Sequence, residues 1–291
     1  MKPRTKTLLT LMLLALLVVN HAAAAVHKDE VVYVSLDPQG QPEQVYVINA
    51  FEADEAVQVT DEGRYDQVMP LKEVASFQFQ DNQAAFTMQP GRFSYQGNLA
   101  STALPWLFDL SYTLNGQPVQ AEDLSGADGA LAIRLVVKVN EDLRAYADAL
   151  TLQITFTLDG DRCFNIESEK ATYALAGGNR TLSFVVLPGQ SAEYDITCQV
   201  VDFAMADVQL AGVRMGMDAQ MYQDVAASSL VGSPLEGAVS GLMRNMLDRM
   251  QGLPLRSFTG ENNQVRSLQF VMMLRGIKPL EKENGQTTDN P

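Results

Sequence analysis

Histidine is almost missing from this chain. In 291 residues there are two, His21 and His27, and the first lies inside an apolar leader. A Ser-His-Asp triad or a Cys-His pair needs an imidazole held on a rigid scaffold. Zinc and iron sites built on histidine need several. After the leader only His27 remains, at the start of the processed chain, so neither class of chemistry is expected. A phosphate-cradling loop of the G-x-x-x-x-G-K-(S/T) form does not occur, and Ser168-Glu169-Lys170 has the wrong spacing for the S-x-x-K motif of lysine-assisted serine enzymes. Basic residues are also scarce: 21 Lys and Arg stand against 35 Asp and Glu, a formal net charge of -14. Such a surface repels phosphate backbones and anionic lipid, so nucleic-acid binding is not expected. No apolar run of membrane-spanning length follows the amino terminus, and no LPxTG-like sorting motif precedes the tail.

What is present begins with the leader. Lys2, Arg4 and Lys6 precede an apolar run from Leu8 to Val19 broken only by Thr10, and Ala22 to Ala25 supply an A-x-A cleavage site. These features predict a Sec-type signal peptide over residues 1–25 and a product that is secreted or held on the extracellular face of the cell envelope. No Cys follows the run, so a lipid-anchored form is not expected. Removing the leader takes away three basic residues and no acids, which makes the product still more acidic.

The most ordered pattern lies between Leu104 and Asn140. Trp106, Phe108, Leu110, Tyr112 and Leu114 alternate with Leu107, Asp109, Ser111 and Thr113, and Leu131, Ile133, Leu135, Val137 and Val139 alternate with Ala132, Arg134, Val136 and Lys138. Alternation of this kind puts the large apolar groups on one side of an extended chain, so each run predicts a half-buried strand. Asn115-Gly116 tolerates positive φ and predicts a tight reversal. Glu122 to Gly129 is acidic and glycine-containing, and predicts a seam between two β units.

Upstream, Val31 to Leu36 and Gln44 to Phe51 flank Pro38-Gln39-Gly40, and Phe77 to Phe79 and Phe86 to Met88 flank Asp81-Asn82. Both pairs read as hairpins, whereas Glu52 to Gly63 reads as an acidic loop with one edge strand at most. Downstream, Leu150 to Leu158, Ala171 to Leu175, Thr181 to Leu187, Ala192 to Phe203 and Val208 to Met215 read as strands between turns at Gly160, Gly177-Gly178 and Gly189. The expected fold is mainly β, with two β-sandwich-like domains at 26–125 and 126–217, the second immunoglobulin-like.

Leu104-Pro105, Asp109, Tyr112 and Leu114-Asn115-Gly116, followed by Asp123-Leu124-Ser125-Gly126, Gly129, Leu131 and Ile133, form a motif. It resembles an uncharacterised family of exported envelope proteins of Gram-positive bacteria, whose relatives occur alone or beside large membrane proteins of the YhgE/phage-infection-protein type. The similarity continues through Lys28 to Phe51, Ala171 to Gln190, Val200 to Gly212 and Val265 to Ile277. Its motifs are turns and strand starts. The resemblance thus implies an exported β protein with a partner among membrane or cell-wall proteins, and no catalytic residues.

Beyond Met217 the period changes. Ser233 to Glu236 form a capping box with Pro234 at the first helical position, and Leu235, Val239, Leu242, Met243, Met246, Leu247 and Met250 then recur at helical spacing before Gly252 and Pro254. The segment 218–278 is expected to hold this amphipathic helix and a return strand from Leu268 to Leu274, and 279–291 to form a disordered tail. The apolar stripe suits either the protein's own core or a methionine-rich docking surface for a partner.

Cys163 and Cys198 are a candidate disulfide, closing a loop of about 35 residues and contributing roughly 3 to 4 kcal/mol in the chain-entropy model; two buried free thiols are the alternative. No cofactor or metal is expected. Asp159-Gly160-Asp161 and Asp123 to Asp128 are acidic glycine loops that do not fit the EF-hand pattern. The function these features predict is a non-enzymatic envelope interaction module. A wall-polysaccharide enzyme working through a carboxylate pair and a calcium-stabilised adhesin are the alternatives.

Overall fold

The computed structural model describes residues 26–74, 76–214 and 255–280. Among them the alternating runs become strands: β1 (Val26–Leu36), β2 (Pro42–Ala53), β3 (Val57–Glu62), β4 (Tyr65–Pro70), β5 (Phe77–Gln80), β6 (Gln83–Met88), β7 (Gly91–Leu99), β8 (Trp106–Leu114), β9 (Gln117–Val119) and β10 (Gly129–Val139). A six-residue helix, α1 (Arg144–Ala149), is followed by β11 (Thr151–Asp159), β12 (Cys163–Glu167), β13 (Thr172–Ala176), β14 (Asn179–Val186), β15 (Ala192–Val200), β16 (Val208–Val213) and β17 (Ser267–Leu274). The mainly β, sandwich-like character expected from the alternation is what the chain adopts.

The strands form three sheets among the described residues: a nine-stranded sheet in the order β13-β14-β11-β16-β17-β1-β2-β7-β4, a five-stranded sheet β12-β15-β10-β8-β9, and a three-stranded sheet β3-β6-β5. Nearly all pairs are antiparallel, but β1 runs parallel to β17, from Asp29 opposite Ser267 to Leu36 opposite Leu274. The return strand expected at Leu268 to Leu274 therefore sits between β16 and β1, near the middle of the long sheet.

Two cores follow from these layers. In the larger, the inward residues of β8 and β10, including Trp106, Phe108, Ile133 and Leu135, meet those of β1, β11 and β17. The Trp106 ring stands edge-on to Phe270 with centroids 5.7 Å apart. In the smaller, Phe51, Phe93 and Tyr95 of the long sheet pack on Phe86 and Met88 of the three-stranded sheet. Each such side chain that leaves water contributes on the order of 1.5 to 3 kcal/mol.

The seam expected at residues 125–126 runs through a sheet. β8 lies before it and β10 after it, yet they pair along their whole length, from Trp106 opposite Val139 to Leu114 opposite Leu131. Both strands bury the same face on the same core, so the acidic link between them is a loop within one sandwich. The turn at Asn115-Gly116 forms as expected, with φ of 53° and 78°, but it leads into the short β9. The acidic stretch expected as a loop with one edge strand at most does contain an edge strand, β3, which pairs with β6 from Val57 opposite Met88 to Glu62 opposite Gln83. The expected signal segment 1–25, the expected amphipathic helix at Leu235 to Met250 and residues 281–291 of the expected tail lie outside the described residues.

Candidate functional site: a closed ion cluster and an open sheet edge

In β1 the inward face carries Val32, Val34 and Leu36, and two residues of the same parity upstream are Lys28 and Glu30. The alternation of a strand thus drives a cation and an anion into the interior. Lys28 is 4% exposed and Glu30 is fully buried. The Lys28 Nζ lies 2.7 Å from Glu30 Oε1 and 2.7 Å from Asp61 Oδ1 on β3, and donates to Thr259 Oγ1 at 3.2 Å. Glu30 accepts from the Ser257 hydroxyl at 2.5 Å, the Phe258 N–H at 2.7 Å and the Thr259 hydroxyl at 3.0 Å. The Tyr95 hydroxyl donates to Asp61. Behind it, Asn49 Nδ2 donates to the Tyr65 hydroxyl at 2.8 Å.

Burial pushes the Asp61 carboxyl up from its ordinary range, while Lys28 and Tyr95 pull it down. Burial also raises the Tyr65 and Tyr95 hydroxyls well above the usual phenol range. A buried charge is tolerated where it is paired and hydrogen-bonded, and each charged member here meets that condition. Lys28 sits between two carboxylates, with its Nζ also donating to Thr259. Glu30 and Asp61 are both engaged by the same Lys28 Nζ. The cluster is a clasp: it fastens the 257–263 segment to β1 and β3. Asn263 extends it, accepting from the Glu62 N–H at 3.0 Å and donating to the Glu62 carbonyl at 2.7 Å.

Two clefts flank the clasp. One of about 630 Å³ is lined by Arg64, Asp81, Ala100, Tyr146, Phe258 and Glu261 among others, and one of about 270 Å³ reaches Lys28 and Asp61 past Asn262. In the first, the Tyr146 hydroxyl donates to the Ser257 carbonyl at 2.7 Å, and its ring meets Phe258 edge-on at 5.3 Å. Clasp residues line both clefts: Ser257 and Thr259 the first, Lys28 and Asp61 the second.

At the far end of the long sheet the surface differs. Every residue of β13 is exposed. Tyr173 and Leu175, on one face of it, are 49% and 72% exposed, and Val185 and Leu187 are exposed on the opposite face of the sheet, at and just beyond the far end of β14. The turn before β13 borders a cleft of about 390 Å³ lined by Glu167, Glu169, Glu193 and Asp195, with Lys170. Arg134 pairs with Glu193 at 2.5 Å and Asp195 at 3.1 Å, and Lys170 donates to the Glu193 carbonyl at 3.0 Å.

No family model matches the chain, and no curated protein matches it. Among solved structures, it is similar to a homology model of the full-length AP-3 complex in an intermediate open conformation, at 11% identity and a TM-score of 0.40 over 66% of this chain and 57% of that one. It is also similar to the yeast delta-COP-I μ-homology domain, at 8% identity and a TM-score of 0.40 over 87% of this chain and 95% of that one. The same yeast domain complexed with a Dsl1 WxWxV peptide matches at 9% identity and a TM-score of 0.39, over 66% of this chain and 81% of that one. Likenesses at this level assign the chain to no family.

Of the residues singled out in the sequence, Cys163 and Cys198 come together. Cys163 on β12 lies opposite Val200 on β15, so Cys198 is the next inward residue along that strand. Both are buried thiols, free in this structure. Their shared hydrogen bond, with burial, pushes the Cys163 thiol up. In the acidic loops, Asp159 accepts from the Asp161 N–H at 2.9 Å and Asp128 accepts from the Asp202 N–H at 2.8 Å; these carboxylates cap turns. Leu235, Val239, Leu242, Met243, Met246, Leu247 and Met250 lie outside the described residues. The sequence reading missed the clasp. A signal for it does exist: Lys28 and Glu30 share the parity of Val32 and Val34, so the strand register alone places both charges inward.

Proposed function

We propose that this chain is an exported, non-enzymatic interaction module of the cell envelope that binds a membrane or wall protein. The observation that carries this reading is the contrast between the buried clasp and the open edge at β13. The buried charges of β1 and β3 are paired with one another in the clasp, whereas Tyr173 and Leu175 stand in solvent on one face of an outer strand. Exposed apolar side chains beside an unpaired sheet edge are what a sheet that takes up an extended segment presents. The leader-like amino terminus and the motif around Leu104 to Ile133 support the envelope setting.

Crosslinking living cells that express the tagged chain, followed by mass spectrometry of what is recovered, tests the reading. The expected result is one dominant membrane or wall protein, captured by the native chain and lost from Leu175→Lys. Turnover of wall glycan by the purified chain, or recovery from the medium with no reproducible companion, would overturn it.

A further inference from the structure

Among the described residues the three sheets have six outer strands, and five of them carry a device that discourages pairing with another chain. β4 ends at Pro70 and its register to β7 shifts between Tyr65 and Gln67. β9 is three residues long and includes Pro118. β12 is interrupted between Phe164 and Glu167, where Asn165 has a φ of 50°. β5 has only four residues, and the end of β3 is covered by Asn262 and Asn263 on Glu62. Short edges, proline, bulges and covering segments are the usual means of blunting a sheet edge.

β13 is also short, at five residues, but among the described residues it carries no proline, bulge or covering segment. Its register to β14 is unbroken from Thr172 opposite Ser183 to Ala176 opposite Asn179. The sequence Thr-Tyr-Ala-Leu-Ala contains no proline, glycine or charge. Tyr173 lies opposite Leu182, a core residue, so Tyr173 and Leu175 continue the core-facing side of the long sheet beyond its last paired strand.

We infer that β13 accepts an extended segment of a partner protein as a tenth strand of the long sheet, a segment with apolar residues at alternate positions and a lysine or arginine at the end that meets the cleft of Glu167, Glu169, Glu193 and Asp195. Main-chain hydrogen bonds to the free edge supply the attachment, and alternate side chains against Tyr173 and Leu175 supply selectivity. The charge preference follows from the acidic surplus of that cleft and of the chain as a whole. A second copy fits less well. Two strongly acidic chains repel, and a second copy brings no basic surplus to the acidic cleft.

This inference rests on the interaction-module reading and names the partner's chemistry. Its test uses the purified full-length chain and a fluorescein-labelled peptide of alternating valine and threonine with lysine at both ends, followed by anisotropy. A glutamate-ended peptide, the variant Leu175→Lys and the control variant Leu107→Lys, which alters an exposed residue of β8, complete the set. The expected result is saturable binding of the lysine-ended peptide that weakens roughly tenfold or more for Leu175→Lys and for the glutamate-ended peptide, with Leu107→Lys and all melting temperatures unchanged. Absence of saturable binding, equal binding in every case, or concentration-dependent dimerisation abolished by Leu175→Lys would overturn it. If the cellular partner is still lost from Leu175→Lys while no peptide binds, strand addition falls and the interaction-module reading stands.

Discussion

At the scale of single residues, Lys28 carries the largest consequence. Replacing it with Met leaves Glu30 and Asp61 buried without a cation, and breaking a buried pair in this way costs about 3 to 5 kcal/mol at neutral pH. The sign of the pH dependence follows. Carboxyls whose folded pKa is raised contribute stability that is complete below their unfolded pKa, near 4, and is lost as pH rises through the folded value. Asp61 is already raised by burial in the native chain, and loss of Lys28 raises it further. Lys28→Met should therefore be much less destabilised at pH 4.5 than at pH 7.5, as read by urea unfolding at both. An equal deficit at the two values would contradict the clasp. Nearby, a Cβ at Gly97 on β7 would overlap the ring of Tyr65. Gly97→Ala should push the ring away from Asn49 and cost about 1 to 3 kcal/mol, the usual range for overpacking. Thermal melts of this variant and of Tyr65→Phe would separate the steric effect from the lost hydrogen bond.

At the scale of elements, the turn between β8 and β9 is set by backbone conformation. Gly116 has a φ of 78°, and a Cβ there would meet no neighbouring atom. Gly116→Ala should cost about 1 to 2 kcal/mol from the left-handed backbone alone, without altering the core. Hydrogen exchange should show the loss confined to β8, β9 and the Asn115–Ala130 tie, in which the Asn115 N–H donates to the Ala130 carbonyl at 2.7 Å. Faster exchange throughout the long sheet would show that the turn is coupled to more than its own sheet. β8 and β10 were legible from the sequence because each buries one face, and alternation records a single buried face directly. For β3 only the presence of an edge strand was legible, and not its bounds, because its inward Asp61 breaks the apolar alternation and its partner Lys28 lies 33 residues away.

At the scale of the whole molecule, both cores share the nine-stranded sheet. β17 enters it between β16 and β1, and β1 and β2 carry it on to the smaller core. Division at residue 125 would separate β8 from β10 and expose both. Calorimetry should accordingly show one cooperative unfolding transition for the chain, with calorimetric and van't Hoff enthalpies in agreement. Two resolved transitions would mean that the cores unfold independently despite the shared sheet. Cooperativity of this kind also makes the clasp matter beyond its neighbourhood, since the 257–263 segment leads directly into β17.

The sequence by itself determined which stretches are extended, which face of each is buried, where the tight turns fall, and that a site needing several imidazoles cannot form after the leader. Those properties are local: the two-residue period of a strand and the φ tolerance of Asn and Gly can be read without knowing what lies across the sheet. Only the tertiary structure decided the order of strands, the parallel pairing of β1 with β17, the run of one sheet across the expected domain seam, the meeting of Lys28 with Asp61 and Thr259, and the exposure of β13 at a sheet end. Each of these depends on contacts between residues far apart in the chain. Alternation specifies that a face must be covered, but any other apolar face can satisfy it, so the choice of partner belongs to the packing of the whole.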